Sequence, residues 1–136
     1  AGDMVTDAAG SAYAEASSIW STSTGTIYAL SRDSANLLYK NAGLSNLIRS
    51  YDGTTAANSA VGVSYQNSPA GFAATWGVNL TAYLRGDTAG AVSYDGTFGA
   101  GNLAIGHKTT YNTWDGTIRE VKIFNTELTA AEVGDL

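Results

Sequence analysis

From Ser11 onward the chain reads as short runs in which apolar and polar positions alternate, with Gly, Asn, Asp and Ser clustered between the runs. A period of two is the mark of strands that place one face on a core. Many such runs with regular turn signals predict an all-β sandwich. The pattern places strands near Ser11–Ile19, Thr26–Ser31, Asn36–Lys40, Asn46–Tyr51 and Ala60–Tyr65. Further ones fall near Gly71–Trp76, Leu80–Arg85, Gly90–Tyr94, Asn102–His107 and Gly116–Asn125. Asp52-Gly53, Asp95-Gly96 and Asp115-Gly116 mark turns, because both residue types tolerate positive φ. The single proline, Pro69, lies between runs, where it disturbs no ladder.

Parity selects the core: Tyr13, Ile19, Ile27, Leu30, Leu38, Leu47, Val61, Val63, Phe72, Trp76, Leu80, Tyr83, Leu103, Ile105, Ile118, Val121, Ile123, Phe124, Leu128 and Val133. In the last run the parity is mixed. Ile118 falls in step with Glu120, Lys122 and Phe124, whereas Val121 and Ile123 alternate with it. That mixing suits a strand covered partly on both faces. Thr129 and Glu132 then fit the capping box S/T-x-x-E, predicting one helical turn anchored by Leu128, Val133 and Leu136. Residues 1–10 carry small and acidic side chains and read as a linker or the tail of a preceding domain, leaving 11–136 as one domain.

The closing segment LAIGHKTTYNTWDGTIREVKIFNTELTAAEVGDL resembles the end of concanavalin A-like (laminin-G-like) jelly-roll domains. GTIYALSRDSAN and FAATWGVNLTAYLRGD are similar to that family's second strand with its turn and to its central hairpin. The resemblance implies a two-sheet antiparallel jelly-roll sandwich whose open end is plugged by the short helix. It also implies kinship with phage tail-fibre and tailspike end domains, hence an extracellular or virion setting and a homotrimeric parent fibre.

Composition narrows the function classes. Charged residues make up 14% of the chain, well below the roughly 25% of ordinary globular proteins. Net charge is −5, and the seven basic residues are scattered singly. Nucleic acid needs clustered Lys and Arg to displace counterions. An anionic membrane surface is disfavoured on the same ground, and no apolar run approaches the ~20 residues of a bilayer span. There is no cysteine. The chain opens on Ala1 with no signal peptide, as a processed product or an excised piece would.

Candidate chemistry is sparse. Retaining glycoside hydrolysis needs two carboxyl groups ~5–5.5 Å apart, which along one strand means acids at i and i+2 or i+4. None of the four glutamates, Glu15, Glu120, Glu127 and Glu132, has such a neighbour. No Cys and no G-x-S-x-G elbow offers a nucleophile. His107 is the only histidine, at the edge of a polar loop. Arg85-Gly86-Asp87 spells an adhesion tripeptide, read here as a hairpin turn. No calcium-loop spacing D-x-[DN]-x-[DN]-G occurs. Relatives of the fold bind calcium through loop aspartates, and Asp33, Asp52, Asp87, Asp95 and Asp115 all sit in loops, but each is equally explained as a turn residue. The expectation is no catalysis and no cofactor.

The remaining signal is aromatic. Sugar sites combine rings with a few placed polar groups, and the stretch from His107 through Tyr111, Asn112 and Trp114 has that mixture. Tyr94-Asp95, Tyr51-Asp52 and Trp20 are further candidates at turns. The chain is therefore expected to bind a cell-surface polysaccharide or glycan receptor through those residues. A ligand-free module that caps or trimerises a fibre is the alternative.

Overall fold

In a computed structural model, which describes residues 5, 7–18, 26–32, 35–40, 47–60, 68–98, 102–108 and 113–136, strand β1 (Gly10–Ser18) sets the frame. Its Ala12, Ala14 and Ala16 turn inward and are fully buried, while Ser11, Tyr13, Glu15 and Ser17 turn outward. The same alternation repeats in β6 (Ala70–Trp76) and β7 (Asn79–Leu84), which bury Phe72, Ala74 and Trp76, and Leu80, Ala82 and Leu84. With β8 (Val92–Ser93) and β10 (Gly116–Phe124) they form one antiparallel sheet of order β10-β1-β6-β7-β8. The second sheet runs β5-β4-β3-β2-β9, built from β2 (Ile27–Arg32), β3 (Ala35–Lys40), β4 (Arg49–Tyr51), β5 (Ala56–Asn58) and β9 (Leu103–Ile105). The all-β, two-sheet reading holds. α1 (Ala130–Gly134) is the one described helix, and no described helix is long and apolar enough to cross a membrane.

The core lies between the sheets. Trp76, Phe72, Phe98, Leu30, Leu37, Leu38, Ile48, Leu80 and Leu84 are its largest fully buried apolar side chains. At ~1.5–3 kcal/mol for each fully buried aliphatic or aromatic side chain, these outweigh any surface contact in the molecule. Trp76 meets Phe98 edge-on at 4.8 Å between centroids, and Phe98 stacks on Tyr94 at 5.7 Å. Two core expectations are corrected. Ile48 is buried where Leu47 was expected, and Ile105 is 51% exposed because β9 is an edge strand. Phe124 is half-buried outside the main core. β5 was not anticipated, while Ile19, Val61, Val63 and most of the strand expected at Ala60–Tyr65 lie outside the described residues.

The mixed parity of β10 has a local cause. Glu15 pairs with Glu120 and Ala16 with Ile118, so Arg119 is an extra residue, a β-bulge. The bulge restores the parity, and Ile118, Val121 and Ile123 all pack against the main core. Cover on the outer face comes from α1 and not from a second strand layer. Thr129 caps the helix through a reciprocal capping box with Glu132, whose carboxyl is held below its usual range by the Thr129 backbone N–H and hydroxyl. Val133, with Leu128 and Leu136 beside it, packs on Tyr13, Ala73 and Tyr83. The helix thus lies on the outer face of the first sheet and does not plug the end of the sandwich.

Gly10 already belongs to β1, and Val5 is buried in the main core with its carbonyl accepting from buried Arg32. Of the three Asp-Gly turns, only Gly53 uses positive φ, at 95°. Gly96 and Gly116 are demanded by close approach instead. A Cβ on Gly96 would collide with the Asp52 carbonyl, and one on Gly116 with that of Ser17.

Candidate functional site

The residues expected to form a site divide between opposite ends of the sandwich. β2 runs from Ile27, paired with Lys40, to Arg32, paired with Ala35. At the Arg32 end, Asp52 joins two loops. It is fully buried, and its Oδ1 accepts from the backbone N–H groups of Thr54 (2.8 Å) and Thr55 (2.6 Å). Its Oδ2 accepts from those of Asp95 (3.2 Å) and Gly96 (3.0 Å). The Thr55 hydroxyl lies 2.9 Å from Oδ2 and 2.8 Å from the Ser93 carbonyl, with one proton to give. Burial alone would raise the Asp52 pKa, but the N–H donors of Thr55, Thr54 and Gly96 outweigh it and hold the carboxyl below its usual range.

This knot brings Tyr51, Tyr94 and Asp95 to one rim. Tyr51 is half-buried and donates its hydroxyl proton to the Gly53 carbonyl at 2.8 Å. Tyr94 is a packing residue whose ring stacks on Phe98 and whose hydroxyl oxygen is enclosed. Asp95 is exposed. Asp52 itself is no cation ligand, since both oxygens face N–H donors that a cation would oppose.

At the opposite end, Trp114 corrects an expectation. It is only 7% exposed, packs on Phe72 at 5.5 Å, and donates its indole N–H to the Ser17 carbonyl at 2.9 Å. A ring placed so cannot stack on a sugar. His107 is half-buried and its carbonyl accepts from the Ser31 hydroxyl at 2.8 Å. Beside them Asp115 accepts from Ser18 at 2.8 Å and faces Lys40, whose pKa is lowered by burial against the pull of that carboxylate. Tyr111, Asn112 and Trp20, like Asp33, lie outside the described residues. Among the described residues no three of His, Asp or Glu come together as a metal-binding group.

A concave feature of the described surface lies elsewhere, on the outer face of the first sheet beside α1. It is a cleft of about 220 Å3 walled by Tyr13, Tyr83, Arg85, Val133, Gly134 and Leu136, with Gly71, Ala73 and Gly86 completing it. The Tyr13 ring lies across Gly71, where a Cβ would meet it at 2.9 Å. Lys122 sits over the same ring at 5.3 Å from its centroid. Arg85 belongs to a two-residue hairpin turn, closed by the backbone bonds between Leu84 and Asp87 at 2.9 and 3.0 Å. The tripeptide at 85–87 is that turn. Sequence reasoning assigned Tyr13 and Tyr83 to the core and Arg85 to the turn. The missed signal was their outward parity, opposite inward alanines, followed by a capped helical turn able to cover that face.

The same face holds a pair of acids that spacing along one strand does not reveal. Glu15 and Glu120 stand directly opposite each other on β1 and β10, where Cβ atoms are about 4.5–5.5 Å apart. Each is paired with a cation, Glu15 with Arg119 and Glu120 with Lys122, both at 3.2 Å. Together with burial, which is the larger cause, they raise the Tyr13 pKa. A phenol so disposed is a poorer nucleophile.

No family model matches the sequence, and no curated protein matches it either. Solved structures match in fold. A protein of Bacteroides ovatus ATCC 8483, provisionally named a carbohydrate binding protein, superposes with a TM-score of 0.73 at 10% identity, over 96% of this chain and 41% of that one. Trypanosoma rangeli sialidase, solved in complex with sialic acid, gives 0.64 at 14%, over 92% and 22%. A structure from work on cell entry of botulinum neurotoxin type C, which depends on interaction with two ganglioside molecules, gives 0.57 at 13%, over 93% and 34%. The chain therefore spans less than half of each of these proteins, and at these identities the likeness is one of fold.

Proposed function

We propose that this domain is a non-catalytic carbohydrate-binding module of a larger extracellular protein, a concanavalin A-like jelly roll of the sort that ends phage tail fibres. The observation that carries the reading is the outer-face cleft, where tyrosines and a guanidinium converge on a rigid sheet around a space with room for one ring. The fold likeness supports it, since the similar structures include a protein provisionally named carbohydrate binding and a toxin whose cell entry depends on gangliosides. The cation pairing of Glu15 and Glu120 supports binding without cleavage. The engaged oxygens of Asp52 support binding without calcium. So small a cleft gives weak single-site affinity, and repetition of the module in a fibre, as a trimer for instance, would raise it by effective concentration.

The test is a screen against surface polysaccharides and isolated glycans, with and without calcium, using the wild-type domain and Gly134→Leu. Gly134 lines the cleft, and a Cβ there meets nothing within 4 Å, so the larger side chain obstructs the cleft while leaving the fold intact. Binding that Gly134→Leu abolishes is expected. Binding indifferent to it would move the site elsewhere. A stable oligomer by size exclusion, with no glycan bound, would favour the assembly role instead. That second reading has its own support in β10, a nine-residue strand at the open edge of the first sheet.

A further inference from the structure

We infer that the cleft selects a sugar carrying a carboxylate, a uronic acid or a related acidic pyranose, and that Arg85 is the residue that reads the acid. The inference rests on the carbohydrate reading above and narrows it to a ligand class. Arg85 has φ of 52°, the only positive value at a non-glycine residue among the described ones. Its turn, with Gly86 at φ 83°, has the geometry that Asn, Asp or Gly at the first position adopts with least strain. Nothing in the turn calls for arginine. The backbone instead is fixed from outside, because the Arg85 N–H donates to the Gly71 carbonyl at 2.8 Å, tying the turn to the floor of the cleft. Strain held in place by neighbours at the mouth of a cleft points to a binding role for the side chain.

The side chain fits that role. Arg85 is exposed and lines the cleft, and its Nη2 lies 3.5 Å from the Pro69 carbonyl, which keeps the guanidinium along the wall. A guanidinium is a planar fork matched to the two oxygens of a carboxylate. Beside it, Leu136 and the edges of the largely buried Tyr13, Tyr83 and Val133 give the cleft a small apolar wall. The cleft, at about 220 Å3, is smaller than the ~300–1,000 Å3 of sites for drug-sized ligands. It therefore takes one ring. Charge settles the kind of acid. With net charge −5 and single, scattered basic residues, the chain does not draw in a polyanion from a distance. One carboxylate read at contact is what the arrangement suits.

The test is a titration of the isotope-labelled domain with glucuronate and with glucose, followed by backbone amide shifts, in the wild type and in Arg85→Asn. Asparagine suits the turn, so the variant folds and its remaining spectrum is unchanged. The expected result is glucuronate binding about tenfold tighter than glucose, with shifts centred on residues 71, 73, 83–86 and 133–136, and loss of that preference in Arg85→Asn while glucose binding persists. A tenfold preference is the scale of one added charge-assisted interaction. Sugar binding that ignores either the carboxylate or Arg85 overturns the inference and leaves the carbohydrate reading standing. Failure of every sugar, acidic or neutral, overturns the carbohydrate reading itself.

Discussion

Replacing Asp52 by Asn should cost more than any other single-atom exchange in this domain. The change swaps one carboxylate oxygen for an NH2 group, and both oxygens face donors. If the amide nitrogen takes the place of Oδ1, the N–H groups of Thr54 and Thr55 lose their acceptor. If it takes the place of Oδ2, those of Asp95 and Gly96 do. Either way two backbone donors are stranded in a site with no solvent access to Asp52. At about 1–3 kcal/mol for each stranded group, with the charge assistance to the surviving bonds also gone, the expected loss is about 3–5 kcal/mol. In a domain of this size that lowers the melting temperature by roughly 10 °C or more.

Urea denaturation at pH 7 measures the loss directly, and its pH dependence checks the mechanism. The folded-state pKa of Asp52 is depressed, so its contribution is fully present above the unfolded value of ~3.9 and drains away as pH falls through the folded value. The gap between wild type and Asp52→Asn should therefore be wide at pH 7 and close progressively in acid. A loss below about 1 kcal/mol at pH 7, or a gap that stays constant into acid, would refute the reasoning.

Trp114→Phe keeps an aromatic ring against Phe72 but leaves the Ser17 carbonyl without its indole donor. It should cost about 1–3 kcal/mol by denaturant melting, and leave glycan binding at the cleft unchanged; a variant as stable as wild type would mean that the ring is not packed as described. Glu15→Gln combined with Glu120→Gln removes two exposed ion pairs and relieves two facing acids. It should move stability by no more than about 1 kcal/mol in either direction. Glycan binding should persist, and a polysaccharide turnover that disappears in this variant would make the domain an enzyme.

The long alternating strands β1, β6 and β7 are legible in the sequence because each buries one full face, and β10 because Ile118, Val121 and Ile123 pack partly against the core. β5 is not, since Ala56–Asn58 is too short and too small to show a period. The register error at Leu47 and Ile48 arises where two adjacent large apolar residues leave parity undetermined. The bulge at Arg119 has no residue signature of its own, so its effect on parity looks like two-sided burial until the β1 partner is known. The capping box was legible to the residue, but where the helix would pack was not. The candidate site suffered most. Tyr13 and Tyr83 sit at outward parity and yet are buried, because α1 packs on that face. Arg85 joins them only after three separate elements meet.

Proximity of two acids, as in the facing pair Glu15 and Glu120, does not by itself supply the chemistry of glycoside hydrolysis. Glycoside hydrolysis needs the two carboxyl groups in different protonation states, one held neutral to donate and one ionised. Such a split requires different surroundings for the two groups. Here they are alike: each acid sits near solvent beside its own cation. The bulge makes this possible, because the extra residue it inserts is Arg119, the partner of Glu15. The same register places Lys122 opposite Tyr13, over the ring that lines the cleft. The inserted residue thus pairs with Glu15, while Lys122 pairs with Glu120 and lies over Tyr13, and Arg85 lines the cleft beside the tyrosines. A surface arranged in this way is suited to hold an anionic ring in place and poorly suited to protonate a leaving group.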